Sequence, residues 1–87
     1  LLAPRAAHAQ AQATTGVMRG VVADSAGRPL EGVTVTLRNL ETNATRTVTT
    51  NERGAWAAQL LRVGTYDVSA RRIGFAESVQ RALALRL

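Results

Sequence analysis

The chain has 87 residues, 11 Lys+Arg against 6 Asp+Glu, no cysteine and only 3% aromatics. That length supports one small domain, whose core supplies only about 3–5 kcal/mol of net stability, and the absence of cysteine excludes any disulfide or thiolate metal site. Every cation is arginine; all are scattered singly except Arg71-Arg72, and none is interleaved with stacking aromatics, which argues against a nucleic-acid interface and for solvated strand faces.

Residues 1–15, "LLAPRAAHAQAQATT", differ in composition from the rest. Leu1-Leu2-Ala3 reads as the end of an apolar run, Pro4 as a helix breaker, and Ala7-His8-Ala9 as a small-x-small cleavage site before Gln10. The segment is expected to be the remnant of a secretory signal followed by a linker, which makes the protein an exported one. A disordered Ala/Gln-rich tail is the alternative. No stretch reaches the roughly 20 apolar residues of a membrane-spanning helix.

Residues 16–87 are expected to form the domain. Their apolar residues recur with period two, the pattern of half-buried strands. "GVMRGVVAD" sets Met18, Gly20 and Val22 on one face. "VTVTLRN" sets Val33, Val35 and Leu37 against Thr34, Thr36 and Arg38, and its β-branched residues suit an extended chain. "TRTVTT" places exposed threonines around Val48, "GAWAAQL" aligns Trp56, Ala58 and Leu60, and "TYDVSA" aligns Tyr66, Val68 and Ala70. Between them lie "DSAGRPLEG", "NLETNA", "NERG", "RVG" and "RIG". Their Asp, Asn and Gly suit tight turns, with Asp24 as a backbone acceptor and Gly54 and Gly64 at left-handed positions.

The last segment, "AESVQRALALRL", has two readings. As a strand it groups Val79, Leu83, Leu85 and Leu87, interrupted by Arg81; as a helix it groups Val79, Ala82, Leu83 and Leu87. The strand is preferred. With no helical pattern between Gly16 and Gly74, parallel βαβ units are excluded, and the expected fold is all-β: a small antiparallel β-sandwich with Greek-key-like connections.

Taken in order, Gly20, Val22 and Asp24; Gly27, Pro29 and Leu30; Gly32, Val33, Val35 and Leu37; Thr50, Asn51, Gly54 and Trp56; Leu61, Gly64, Tyr66 and Val68; and Gly74-Phe75 resemble the motif series of the carboxypeptidase regulatory-like domain family. Val63 stands where that family commonly has Pro, and Asn51 where it has Asp. The resemblance implies a transthyretin-like (prealbumin-like) sandwich, here expected to be truncated before its last strand. It also makes "TNERG" a β-turn and Trp56, Tyr66 and Phe75 core anchors.

Such domains resemble those directly after the signal peptide of TonB-dependent outer-membrane receptors. The resemblance thus implies a non-catalytic accessory module of an exported Gram-negative protein, located in the periplasm or at the outer membrane. Its partners would be other domains of the same longer polypeptide or periplasmic proteins. The alternatives are a carbohydrate- or surface-binding module, or an accessory domain, of a secreted hydrolase or carboxypeptidase.

Chemistry-bearing residues are sparse. The one histidine, His8, lies in the leader-like segment, so the domain offers no imidazole for a triad, a general base or a metal. Asp24, Glu31, Glu41, Glu52, Asp67 and Glu77 show no spacing that predicts shared acid–base work; Asp67 is expected to be an exposed strand residue. Some transthyretin-like sandwiches are hydrolases with a His/Arg site and a C-terminal Tyr-Arg-Gly-Ser-type tail, and this chain has neither. Asn51 and Glu52 fall short of a calcium shell, and Asn43-Ala44-Thr45, a glycosylation triplet, is expected to be unmodified in a bacterial protein. No enzyme activity is expected, and no catalytic, cofactor-binding or metal-binding residue is assigned.

Overall fold

The computed structural model describes residues 15–86. Six strands follow one another: β1 (Thr15–Val21), β2 (Thr34–Asn39), β3 (Thr45–Thr49), β4 (Ala55–Arg62), β5 (Gly64–Arg71) and β6 (Ser78–Leu85). They form two antiparallel sheets, one of order β1-β4 and one of order β3-β2-β5-β6, and no helix occurs among the described residues. The all-β sandwich expected from the period-two pattern is therefore the observed architecture, and the last segment forms the strand β6.

Alternation builds the core. Val33, just before β2, and Val35 and Leu37 within it are at most 2% exposed. They meet Ala58 and Leu61 of β4 and Tyr66 and Val68 of β5, with Met18, Val22, Leu30, Trp56 and Leu83 packed around them. Gly20 of β1 lies opposite Trp56 of β4, and a Cβ there would come within 2.9 Å of the indole. The missing side chain is what allows the Trp56 ring to lie against β1.

Turns follow from short polar side chains that take over backbone hydrogen bonds. Between β2 and β3, Asn39 Oδ1 accepts the N–H groups of Glu41 (2.8 Å) and Thr42 (3.1 Å). Between β3 and β4, Asn51 Oδ1 accepts those of Arg53 (2.9 Å) and Ala55 (3.0 Å). Gly54 completes that turn at φ 72°, and a Cβ on it would lie 2.3 Å from the Val22 carbonyl oxygen, so only glycine fits.

Two β-bulges change the expected faces. In β4 the pairing runs Met18↔Ala58 and then Gly16↔Leu61, so Gln59 and Leu60 together oppose Val17. Leu60 adopts φ 58° and is 74% exposed, while Leu61 turns inward at 4%. The expected inward Leu60 is thus corrected: one extra residue reverses the parity of the strand beyond it. In β6, Val68↔Gln80 is followed by Tyr66↔Leu83, so Arg81 and Ala82 both oppose Asp67, with Ala82 at φ 57°. Leu83 and Leu85 face inward as expected. Val79, on the other side of the bulge, pairs with Ser69 rather than an inward residue and is exposed, so its grouping with Leu83 and Leu85 does not hold. Leu87 lies outside the described residues.

Candidate functional site

The polar side chains with the best-defined geometry are bound to backbone. Asp24 Oδ1 accepts the N–H groups of Ala26 and Arg28, each at 2.9 Å, and its Oδ2 meets Arg28 Nε at 3.2 Å. The Arg28 N–H, followed by the other N–H and guanidinium donors, holds the Asp24 carboxyl below its ordinary value of 3.8. Asp24 is the turn acceptor expected from sequence. Thr50 has a parallel role in the interior: its hydroxyl donates to the Leu30 carbonyl at 2.7 Å and accepts the Val33 N–H at 2.9 Å. The two bonds fix where the long β1–β2 loop enters β2.

Asp67 departs from its expected place as an exposed strand residue. Its side chain is 15% exposed and gathers Arg38 Nη2 at 3.4 Å and Arg81 Nη1 at 3.7 Å. Oδ1 also accepts the Ala82 N–H at 2.9 Å. The reason is the β6 bulge, which turns an unpaired backbone N–H toward the carboxylate. A similar clamp holds the β4 bulge, where Arg46 of β3 donates to the Gln59 carbonyl at 2.7 Å and the Leu60 carbonyl at 3.5 Å.

The three aromatics divide. Tyr66 is 3% exposed, and its hydroxyl donates to the Arg62 carbonyl at 2.7 Å. Trp56 is half-buried against the core. Phe75, expected as a third anchor, is 48% exposed, and the Arg72 guanidinium lies 5.4 Å from its ring centre. Phe75 lies in the β5–β6 loop rather than on a strand, and there it stays half-exposed. It instead borders an open groove of about 790 Å³ lined by Thr34, Thr36, Arg71, Arg72 and Glu77.

Among the described residues, no three His, Cys, Asp or Glu side chains are grouped so as to hold a metal ion. His8 lies outside them. Asn51 and Glu52, the pair weighed for calcium, sit on a turn in which the Asn51 oxygen is occupied by backbone N–H groups. Two surfaces stand open on the described residues. One is the open side between β1 and β6, where Trp56, Val35, Val68 and Leu83 line a cleft of about 320 Å³. The other is the β4–β5 end, where the bulge presents Leu60. Period-two reasoning missed the second, because a bulge leaves no mark on composition; the interruption by Arg81 was the only sequence sign of its counterpart in β6.

No curated protein and no solved structure matches the chain significantly. The family model described as carboxypeptidase regulatory-like domain matches residues 17–87. The two-sheet fold, the Asx turn at Asn51 and the buried Tyr66 stand where the motif series requires them, and the chain belongs to the carboxypeptidase regulatory-like domain family.

Proposed function

We propose that this domain is a non-catalytic accessory module of an exported bacterial protein, the N-terminal periplasmic domain of a TonB-dependent outer-membrane receptor. Its membership of the carboxypeptidase regulatory-like family over residues 17–87 is the observation that carries this reading. Two further features support it. The apolar, Pro-containing, small-x-small run at residues 1–9 fits an export signal directly before the sandwich. The Asp24, Thr50, Asn51 and Asp67 side chains are bound to backbone groups of turns and bulges rather than aimed at a common point. The decisive test is the encoding reading frame. A plug and a long series of amphipathic barrel strands downstream is the expected result; a frame closing soon after residue 87 without them would sink the receptor assignment.

A carbohydrate-binding role for a secreted hydrolase is the second reading, and one observation favours it. Half-exposed Phe75 borders a groove whose lining includes the Thr34 and Thr36 hydroxyls and two arginines. Amide chemical-shift mapping with oligosaccharides tests it. Perturbations confined to Thr34, Thr36 and residues 71–77, lost in Phe75→Ala, would move the assignment to this class.

A further inference from the structure

The two ends of the sandwich differ in charge. The end formed by the end of β1, the β1–β2 loop, the β3–β4 turn and the β5–β6 loop carries Arg19, Arg28, Arg53, Arg71 and Arg72, nearly balanced by Asp24, Glu31, Glu52 and Glu77. The other end, formed by the β2–β3 and β4–β5 turns and the end of β6, carries Arg38, Arg46, Arg62, Arg81 and Arg86 against only Glu41 and Asp67. Exposed aliphatic side chains occur at both, but only at the basic end do they coincide with surplus positive charge: Leu60 at 74%, Leu40 at 40% and Val63 at 39%.

Leu60 is the unusual member. A leucine at φ 58° is a backbone outlier, and a side chain 74% exposed gains little from packing. Both features count against it as a folding residue, since glycine there would relieve the backbone. Such outliers concentrate at binding surfaces. Arg46 fixes the carbonyls of Gln59 and Leu60, so the bulge presents Leu60 with its cation close by. Arg62 is two residues along the same strand, and Arg86 follows Leu85, which pairs with Gly64 of the same turn.

We propose that this end docks on an anionic bilayer surface, with Leu60 entering the interface beside Val63 and Leu40 while Arg46, Arg62 and Arg86 meet lipid phosphates. The chemistry favours lipid over protein. The apolar residues are separate aliphatic tips rather than the Trp and Tyr that enrich protein hot spots. Aliphatic tips rimmed by arginines suit partitioning into a headgroup layer, where each cation adds to the attraction. This proposal goes beyond the receptor reading and does not depend on it.

The test is co-sedimentation of the full chain with vesicles of mixed phosphatidylcholine and phosphatidylglycerol, against phosphatidylcholine alone, because the negative surface potential of the anionic lipid is what attracts arginines. Binding to the anionic vesicles that weakens with added salt is expected. Arg62→Glu should weaken it by roughly tenfold. Leu60→Gly should weaken it by roughly tenfold as well while the protein melts no lower than the parent, which separates lost contact from lost fold. Ile73→Ser, at the balanced end, should bind as the parent does. Absence of binding to anionic vesicles overturns the proposal, as does binding equal in Leu60→Gly and the parent. A dimer in sedimentation velocity that Leu60→Gly abolishes, without vesicle binding, assigns the surface to a second copy and overturns it too.

Discussion

Asp67 on β5 accepts the backbone N–H of Ala82 on β6 at 2.9 Å, so a single carboxylate fixes the place where the last strand changes parity. The arginines around it are exposed, and such ion pairs contribute only about 0–1 kcal/mol. The backbone bond is the larger part, because a hydrogen bond to an ionised carboxylate is worth more than an exposed ion pair. Asp67→Ala should therefore destabilise the domain by about 1–3 kcal/mol. Asp67→Asn, which keeps an acceptor oxygen, should cost less. Urea denaturation measures both, and amide exchange at Ala82 should quicken in Asp67→Ala but far less in Asp67→Asn.

Thr50 gives a sharper test of a buried hydrogen bond. It is 4% exposed and both donates to Leu30 and accepts from Val33. Thr50→Val keeps the volume but leaves two backbone groups without a partner, a loss of about 2–4 kcal/mol if each costs about 1–2. Thr50→Ser retains both bonds and should lose under about 1.5 kcal/mol. If thermal melts rank the two variants equally, the hydroxyl is not what joins the loop to β2.

The two faces of β2 should respond oppositely to charge. Val35 is 0% exposed, so Val35→Asp places an unpaired carboxylate in the core and exceeds the stability of so small a domain. Thr36 pairs with Thr47 on one side and Ser69 on the other, on the outer face. Thr36→Asp should shift stability by about 1 kcal/mol or less. Circular-dichroism melts should show no cooperative transition for Val35→Asp and a near-parental one for Thr36→Asp.

Acid should loosen the β1–β2 loop. Asp24 has a native value below 3.8 because the Arg28 N–H and its companions hold the ionised form. A depressed native value means stability that is present above the unfolded value and is lost as pH falls through the native one. The loss should begin as pH drops past about 4 and be complete at pH values below the lowered native one. Asp24→Asn should flatten the acid limb of the stability–pH curve below about pH 5, while leaving stability at pH 7 lower than the parent. A curve unchanged by the substitution would remove Asp24 from acid unfolding.

Much of the fold was legible in local chemistry. Alternation in "VTVTL" and "TYDVS" marked Val33, Val35, Leu37, Tyr66 and Val68 as core, since a strand has only two faces and water selects between them. The turn at Asn51–Gly54 was legible because its conformation depends on an Asn side chain and a glycine within five residues. The bulges were not. Nothing local to Leu60 departs from the two-residue period, and near Val79 only Arg81 does; their faces were decided by where partner strands stop matching, at Val17 and at Asp67. Phe75 likewise looked apolar enough for the core, but its half-exposed place depends on how the β5–β6 loop leaves Arg71.

The candidate surface follows the same division. Composition alone determined an arginine surplus without cysteine, and family membership was legible in the order of short turn and strand motifs. Only the tertiary structure decided that the surplus gathers at one end, with a leucine turned outward by the bulge. Residues distant in sequence acquire a common surface only when strand order and register bring them together, and register is a property of pairs of strands.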